Sequence, residues 1–385
     1  MSAAFASALA TTWLWKLTLA CLVALALLWW IVRGAQRWRR QRSLRQALAR
    51  VQQAEPGTGA PPTTSALDAA FGAARQALQQ AAPPGRRRAA LYQRPWVLFL
   101  GESDNRVGDL LHAAAASDAP DASDASGVPL PYGSLPDSFW RWHLLPELVA
   151  IEVDPRLVEL PAEPPDPPVA QRLLGCWFRA LLLLARCRGA LPLDALVLCV
   201  DAQQLLRGPQ ATTELAARLR LRADEASQHL RLRLPTQVLV TGLDRLPGYA
   251  SVREMLPEPM PAQAVGIRVP PGALLVIDDV LDDLALRLRA LRMGLLQQQP
   301  DQPPDAARQL AVHRFFGQWL GLQAGVSLAL RRIFAASSAA PYRLRGRGLY
   351  YVAAPDVSTP AQPAFVADLF SRFLPAERAF ARLRR

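Results

Sequence analysis

Side chains able to carry chemistry are few in this sequence, and they do not group. The four cysteines, Cys21, Cys176, Cys187 and Cys199, lack metal-ligand spacing and sit in apolar runs, where buried free thiols are expected. His112, His143, His229 and His313 form no HExxH or paired-ligand pattern, so no metal is expected. There is no GxSxG elbow, no Cys/His pair and no carboxylate pair placed by spacing. Lysine occurs only at Lys16; every later basic residue is arginine. No catalytic residue, cofactor or small-molecule substrate follows from these types and spacings, and the chain is expected not to be an enzyme.

The elements that would position any site come next. The chain has 385 residues, 51% of them apolar, enough for one large or two medium domains with attachments. Its 34 prolines cluster in connecting stretches. The net charge is +12, but Arg33, Arg37, Arg39, Arg40, Arg42, Arg45 and Arg50 all precede the first acid, Glu55. A basic run placed just behind an apolar helix reads as membrane orientation. No aromatic-and-basic strand motif accompanies it, so nucleic acid is not an expected partner.

Trp13 to Val32 is apolar over about twenty residues, enough to cross roughly 30 Å of hydrocarbon as a helix. Its one charge, Lys16, lies near an end where it can reach the headgroups. Trp13 and Trp15 mark one end, and Trp29 and Trp30 the other. A signal peptide would carry its positive charge before the apolar run; here the order is reversed. The expectation is a single span over 13–32, residues 1–12 outside, and everything from residue 33 in the cytoplasm. Ala180–Ala185 is too short to be a second span.

Residues 33–64 read as a basic stem and a linker, with Pro56, Gly57, Gly59, Pro61 and Pro62. Over 65–93 a helical lead-in is predicted: Ser65 caps it, and Leu67, Phe71, Ala74 and Leu78 share a face. It ends near Ala82–Pro84, and Arg86–Arg88 form a solvated turn. Trp96–Leu100, Leu148–Val153, Ala195–Val200 and Gln237–Thr241 have the length and composition of strands buried on both faces. Helical stretches Val169–Arg188 and Thr213–Arg231 alternate with them, which predicts an α/β fold with a mostly parallel sheet over 94–280. Gly272–Ile277 and Gly348–Ala353 are later strand candidates. His112 to Asp137, of low complexity, reads as a flexible surface loop. Leu281–Leu296, Ala306–Phe334 and a closing helix from Ala364 make a C-terminal helical extension over 281–385.

The order of these segments resembles the cytosolic domain of the IcmF/TssM family, inner-membrane subunits of type VI secretion systems. Leu91–Gly101 (LYQRPWVLFLG) resembles the family's strand leading into its phosphate loop. Phe139–Trp142 followed by Leu148–Val153 resembles the aromatic patch and strand around its LLDTAGRY segment. Asp194–Leu206 (DALVLCVDAQQLL), Leu232–Gly248 (LRLPTQVLVTGLDRLPG), Arg347–Ala354 and Phe365–Glu377 resemble later segments in the same order. The likeness runs from Leu17 over nearly the whole chain and implies a P-loop-NTPase-like fold. Family members usually carry a two-helix membrane hairpin and a large periplasmic region; this chain is expected to have one span and no periplasmic domain.

On that resemblance the nucleotide loops are degenerate. A Walker A loop reads Gly-x-x-x-x-Gly-Lys-Ser/Thr, with backbone N–H groups around the phosphates, lysine neutralising them and the hydroxyl on magnesium. The matching positions keep Gly101, but the second glycine is Arg106, the lysine is Val107 and the hydroxyl is Gly108. Glu102 and Asp104 add two acids, each costing about 4 kcal/mol against a unit charge ~4 Å away at an effective dielectric near ~20. In the second loop Glu152 stands for the family's aspartate, and Pro155 replaces the glycine whose N–H would meet a γ-phosphate. In the third, Asp244 is kept and Gly242 replaces the lysine. Glu102, Asp104 and Asp244 then read most simply as a solvated strand-end loop.

The combined expectation is a membrane-anchored pseudo-NTPase that docks type VI secretion membrane-complex or baseplate subunits from the cytosolic side of the bacterial inner membrane. Two alternatives stay open: a nucleotide-binding NTPase with divergent loops, and a membrane-tethered adaptor outside type VI secretion.

Overall fold

A computed structural model describes residues 2–53, 62–80, 87–117, 139–161, 166–270, 273, 275–297, 306–335, 344–355 and 363–383. Seven strands form one sheet. They are β1 (Trp96–Leu100), β2 (Trp140–Leu144), β3 (Val149–Val153), β4 (Ala195–Asp201), β6 (Pro235–Thr241), β7 (Val265–Arg268) and β8 (Arg345–Tyr351). A separate ribbon pairs β5 (Leu232–Arg233) with β9 (Arg382–Leu383). The sheet order is β2-β3-β1-β4-β6-β8-β7. The inner five strands are parallel, while β2 and β7 run antiparallel along the two edges.

The apolar runs are continuous because each inner strand is covered on both faces. In β1, Trp96, Leu98 and Leu100 join one core, and Val97 and Phe99 join the other. The first core is the thicker, packed by the helices Pro62–Gln80, Pro167–Cys187, Pro209–Leu230, Ile277–Gln297 and Ala306–Ile333. The second is covered by the helix Val107–Ser117 and a closing segment that includes Leu369, Phe370 and Leu374. Phe71, Trp96, Trp142, Trp140 and Trp177 pack in a chain, edge to face except for the tilted Trp140–Trp142 pair, with centroids 5.2 to 6.5 Å apart.

Leu67, Phe71, Ala74 and Leu78 are buried along one face of Pro62–Gln80, as their spacing predicts. This helix starts at Pro62 rather than at a Ser65 cap, and Asp68 instead binds Arg179. The helix Ser2–Gln53 is continuous through the apolar run and the basic stretch. From Leu17 to Leu28 its large apolar side chains are exposed; those of Trp13, Trp15, Trp29 and Trp30 lie outside the described ones. Further along, Arg40, Leu44 and Ala47 are buried against the α/β body. The stretch expected as a basic stem is thus a docked helix: Arg40 donates to the carbonyls of Gly189 and Ala190 at 3.3 and 3.4 Å. Pro167–Cys187, which contains Ala180–Ala185, is long and apolar enough to cross a membrane, but more than half of it is buried as a core helix.

Several local expectations fail. Ile277 opens a helix rather than ending a strand, because Leu281, Leu284 and Leu288 recur at helical spacing onto the core. The helix Val107–Ser117 includes His112 to Ser117, and the rest of the expected loop, 118–137, lies outside the described residues. Arg87 and Arg88 belong to a short helix, Arg87–Ala90, instead of a turn. Ala364 begins no helix: it bridges Ala353 in extended form, and a π-helical turn follows at Leu369–Phe373.

Two buried ion pairs fasten the ends of this body. Arg188 and Asp194 are both fully buried; Asp194 accepts from Arg188 Nη1 at 2.6 Å and from the Trp96 amide at 2.7 Å. Arg188 lies over the rings of Tyr92 and Trp96, 4.8 Å from each centroid. Glu377 accepts from Arg347 Nε at 2.9 Å and from Arg268 Nη2 at 3.0 Å, which ties the closing segment to β8 and β7.

Candidate functional site

In an open parallel sheet, ligands bind beyond the carboxyl ends of the strands where the winding reverses. Here the chain leaves β1 toward β3, returns to β4 on the other side of β1, and continues outward to β6 and β8. The crevice between the ends of β1 and β4 is therefore where a ligand would sit. It is bridged. Gln204 Nε2, just past β4, donates to Glu102 Oε2, just past β1, at 2.6 Å. Arg218, on the helix Pro209–Leu230, donates to Glu102 Oε1 through Nε at 2.8 Å and Nη2 at 2.5 Å. Glu102 is only 5% exposed. It is a buried, neutralised carboxylate and not part of a solvated loop, and the repulsion expected from it is cancelled by Arg218.

Three backbone donors of the loop after β1 are already engaged. The Ser103 amide donates to Glu159 Oε1 at 2.7 Å. The amides of Asn105 and Arg106 close a 3-10 turn on the carbonyls of Glu102 and Ser103 at 3.0 and 3.1 Å. A phosphate nest needs such N–H groups converging on empty space. Arg106 takes a left-handed conformation, with φ 47°, and Val107 is buried at the start of the following helix. The retained Gly101 has a packing reason: a Cβ there would lie 3.0 Å from that of Cys199 and 3.2 Å from that of Asn105. Burial pushes the Cys199 thiol well up, and that of Cys176 up to about 11, so both stay protonated.

Gly108 faces the Glu152 carboxylate, to which a Cβ would come within 3.5 Å. Glu152 is itself buried and held by Arg141 Nη1 at 3.1 Å and His143 Nε2 at 3.0 Å, both on β2. Pro155 opens the short helix Pro155–Glu159, capped by Asp154, which accepts from the Arg156 amide at 3.0 Å. This loop turns straight into a helix.

At the third loop the structure assigns Gly242 a role that its spacing does not reveal. Its φ is 78°, and a Cβ would fall 2.3 Å from Arg245 Nη2 and 2.6 Å from Asp201 Oδ1. The missing side chain makes room for Arg245 to reach Asp201. The same Nη2 donates to the Asp104 carbonyl at 2.8 Å. Asp201 is buried and caps the helix Ala202–Leu206 through the Gln204 amide at 3.1 Å. Burial raises its carboxyl pKa, and Arg245 pulls it back down. Asp104 is partly exposed beside Arg207, 3.5 Å away, while Asp244 turns from the crevice and accepts from the Ala354 amide at 3.3 Å.

The fold thus brings Gly101, Gly108, Glu152 and Gly242 to the carboxyl ends of the inner strands, while Asp244 is bonded to the Ala354 amide and Pro155 opens a helix. Arg218, Gln204, Asp201 and Arg245 are the residues that sequence reasoning missed. Asp201 alone left a trace, as an acid ending an apolar strand.

The arrangement is that of a parallel α/β domain, carried on a long helix, whose strand-end crevice is occupied by its own side chains. Residues 175–364, from the middle of the Pro167–Cys187 helix past β8, match the IcmF-related N-terminal domain. The chain is also 26% identical, over 293 residues, to the type VI secretion system component TssM1 of Pseudomonas aeruginosa. That alignment covers 74% of this chain and 25% of the relative, so the chain spans about a quarter of that protein's length. The chain resembles the IcmF/TssM family on both comparisons.

Proposed function

We propose that this chain is a membrane-anchored, non-catalytic component of a type VI secretion membrane complex, docking other subunits of that complex or its baseplate from the cytosolic side. Its α/β body keeps the layout of a phosphate-loop NTPase, a strand, a short loop and a helix at the winding reversal, without the ligand site. The observation that carries this reading is the closure of the crevice: Glu102 bound by Gln204 and Arg218 where a phosphate would need open N–H groups. The likeness to TssM1 supports the secretion assignment. The apolar run Trp13–Val32 anchors the chain in the bacterial inner membrane, with the N-terminus periplasmic and the body cytoplasmic.

Thermal melts of the full chain in mild detergent with millimolar magnesium-ATP or magnesium-GTP test the pseudo-NTPase reading. Ligand at 100 times its dissociation constant stabilises by about 2.7 kcal/mol, so a clear rise in melting temperature contradicts it. Recovery of secretion-complex subunits from membranes by the tagged chain tests the docking role. If unrelated membrane proteins come down and no such subunit does, the secretion assignment fails. A cytoplasm-active reporter fused behind Arg385 should work and a periplasm-active one stay silent.

A further inference from the structure

A groove of about 420 Å³ runs between the docked N-terminal helix and the α/β body, lined by Trp38, Arg39, Arg42, Ser43, Gln46 and Arg231. Five of these come from the helix Ser2–Gln53. Arg231 comes from the body, at the left-handed C-cap of Pro209–Leu230, with φ 51° and its amide bonded to the carbonyls of Gln228 and Ser227. Among the described residues no carboxylate pairs with Arg39, Arg42 or Arg231. The neighbouring Arg40, by contrast, is buried on backbone carbonyls. Arg42 stacks over Trp38, 5.0 Å from the ring centroid, and Trp38 is more than half exposed. Three guanidinium groups and the Gln46 amide around one groove suit a phosphate oxyanion, while the Ser43 hydroxyl is engaged with His229 Nδ1 at 3.1 Å.

The position of the groove selects the source of that oxyanion. Arg39 lies seven residues beyond Val32, about 10 Å along the helix axis, against roughly 5–8 Å of headgroup layer in each leaflet. Side chains on a helix lean toward its N-terminus, which here is toward the membrane, and Arg42 over Trp38 one turn back has that lean. We propose that the groove holds the phosphate of an anionic phospholipid in the cytoplasmic leaflet, so that Arg231 clamps the α/β body to the membrane in one orientation. The proposal rests on the reading of Trp13–Val32 as a membrane span, and adds to it a lipid site shared between stem and body.

The test uses the full chain in detergent, titrated with phosphatidylglycerol or phosphatidylcholine, with bound lipid counted by native mass spectrometry. Wild type should retain phosphatidylglycerol in preference to phosphatidylcholine. Arg39→Gln and Arg231→Gln should each weaken that retention about fivefold, the effect of one arginine at an anionic surface. Arg231→Lys should keep most of it. Arg45→Gln, an equal charge change at an exposed position outside the groove, should leave it intact. Equal losses in Arg45→Gln and Arg231→Gln, no preference in wild type, or displacement of the lipid by millimolar inorganic phosphate would each overturn the lipid site. So would a Arg231→Gln variant that keeps the lipid but loses a protein partner, which would assign the groove to an acidic protein surface. Reconstitution into phosphatidylcholine vesicles, read by flotation, is independent of Arg231. Failure to float there withdraws the membrane span, and the lipid site with it.

Discussion

Arg218 and Glu102 stand 116 positions apart in the chain and meet at the point where the sheet reverses its winding, the guanidinium donating twice to one carboxylate oxygen. The contact closes a crevice that the topology opens. It links the helix Pro209–Leu230 to the end of β1, and with Gln204 it leaves Glu102 satisfied inside the protein.

Replacing Arg218 with alanine leaves that carboxylate buried without its counter-charge, held by Gln204 alone. Removing one partner of a buried ion pair costs about 3–5 kcal/mol. Arg218 is partly exposed, which places the expected loss near about 3 kcal/mol. Urea denaturation of the chain in mild detergent measures it. The double variant Arg218→Met, Glu102→Gln should recover part of the loss, and a single variant as stable as wild type would show that the pair contributes little.

Placing a lysine at Gly242 should be damaging. The backbone there is left-handed, and a Cβ collides with Arg245 and Asp201. We expect Gly242→Lys to lower stability by about 2 kcal/mol or more, through backbone strain and disruption of the Asp201–Arg245 pair. The same substitution in an Arg245→Ala background should cost less than in wild type, because one of the collisions is gone. Equal costs in the two backgrounds would disprove the steric coupling.

Glu377 holds the closing segment through two arginines, one of them, Arg347, fully buried under Phe380 at 4.1 Å. Glu377→Ala should cost about 3–5 kcal/mol and release residues 363–383 locally. Hydrogen exchange should quicken there and in β8 while β1 and β4 stay protected. A uniform change across the sheet would argue against a local fastening role.

His229 joins the N-terminal helix to the body, with Nδ1 3.1 Å from Ser43 Oγ and its ring 5.1 Å from that of Phe178. Burial, aided by the Arg50 charge, lowers its pKa from the ordinary 6.5. The unfolded chain therefore binds the proton first. Stability is unaffected by this group above pH 6.5, falls as pH drops below 6.5, and levels off once pH passes the lower folded-state value. Melting temperatures between pH 8 and pH 5 should show that fall in wild type and a smaller one in His229→Gln. Parallel profiles would remove His229 as the cause.

Strands β1, β3, β4 and β6 were legible because each is an apolar run covered on both faces, a pattern that needs no partner to be seen. The edges were not. Trp140–Leu144 mixes Arg141 and His143 with its aromatics, and reads as a patch until β3 pairs with it. Val265–Arg268 is four residues long and only half-buried, below the length at which alternation is informative. Leu275 and Val276 made Ile277 look like the end of a strand, although the leucines that follow recur at helical period.

What the sequence determined by itself is local or compositional. It shows lysine confined to position 16, an apolar run followed by seven arginines, and Arg106, Val107 and Gly108 at the positions that the family resemblance would align with a phosphate loop. These are properties of neighbours in the chain, and folding does not alter them. Only the tertiary structure decided what the acids at the strand ends mean. Glu102 read alone is a charge facing solvent, and with Arg218 and Gln204 folded over it, it is a buried bridge. Gly242, read by the resemblance, stands where a lysine is expected, and beside Asp201 and Arg245 it is the space their contact requires. The free energy of a charged side chain depends on burial and on partners brought from distant positions, and no spacing along the chain encodes which partner arrives.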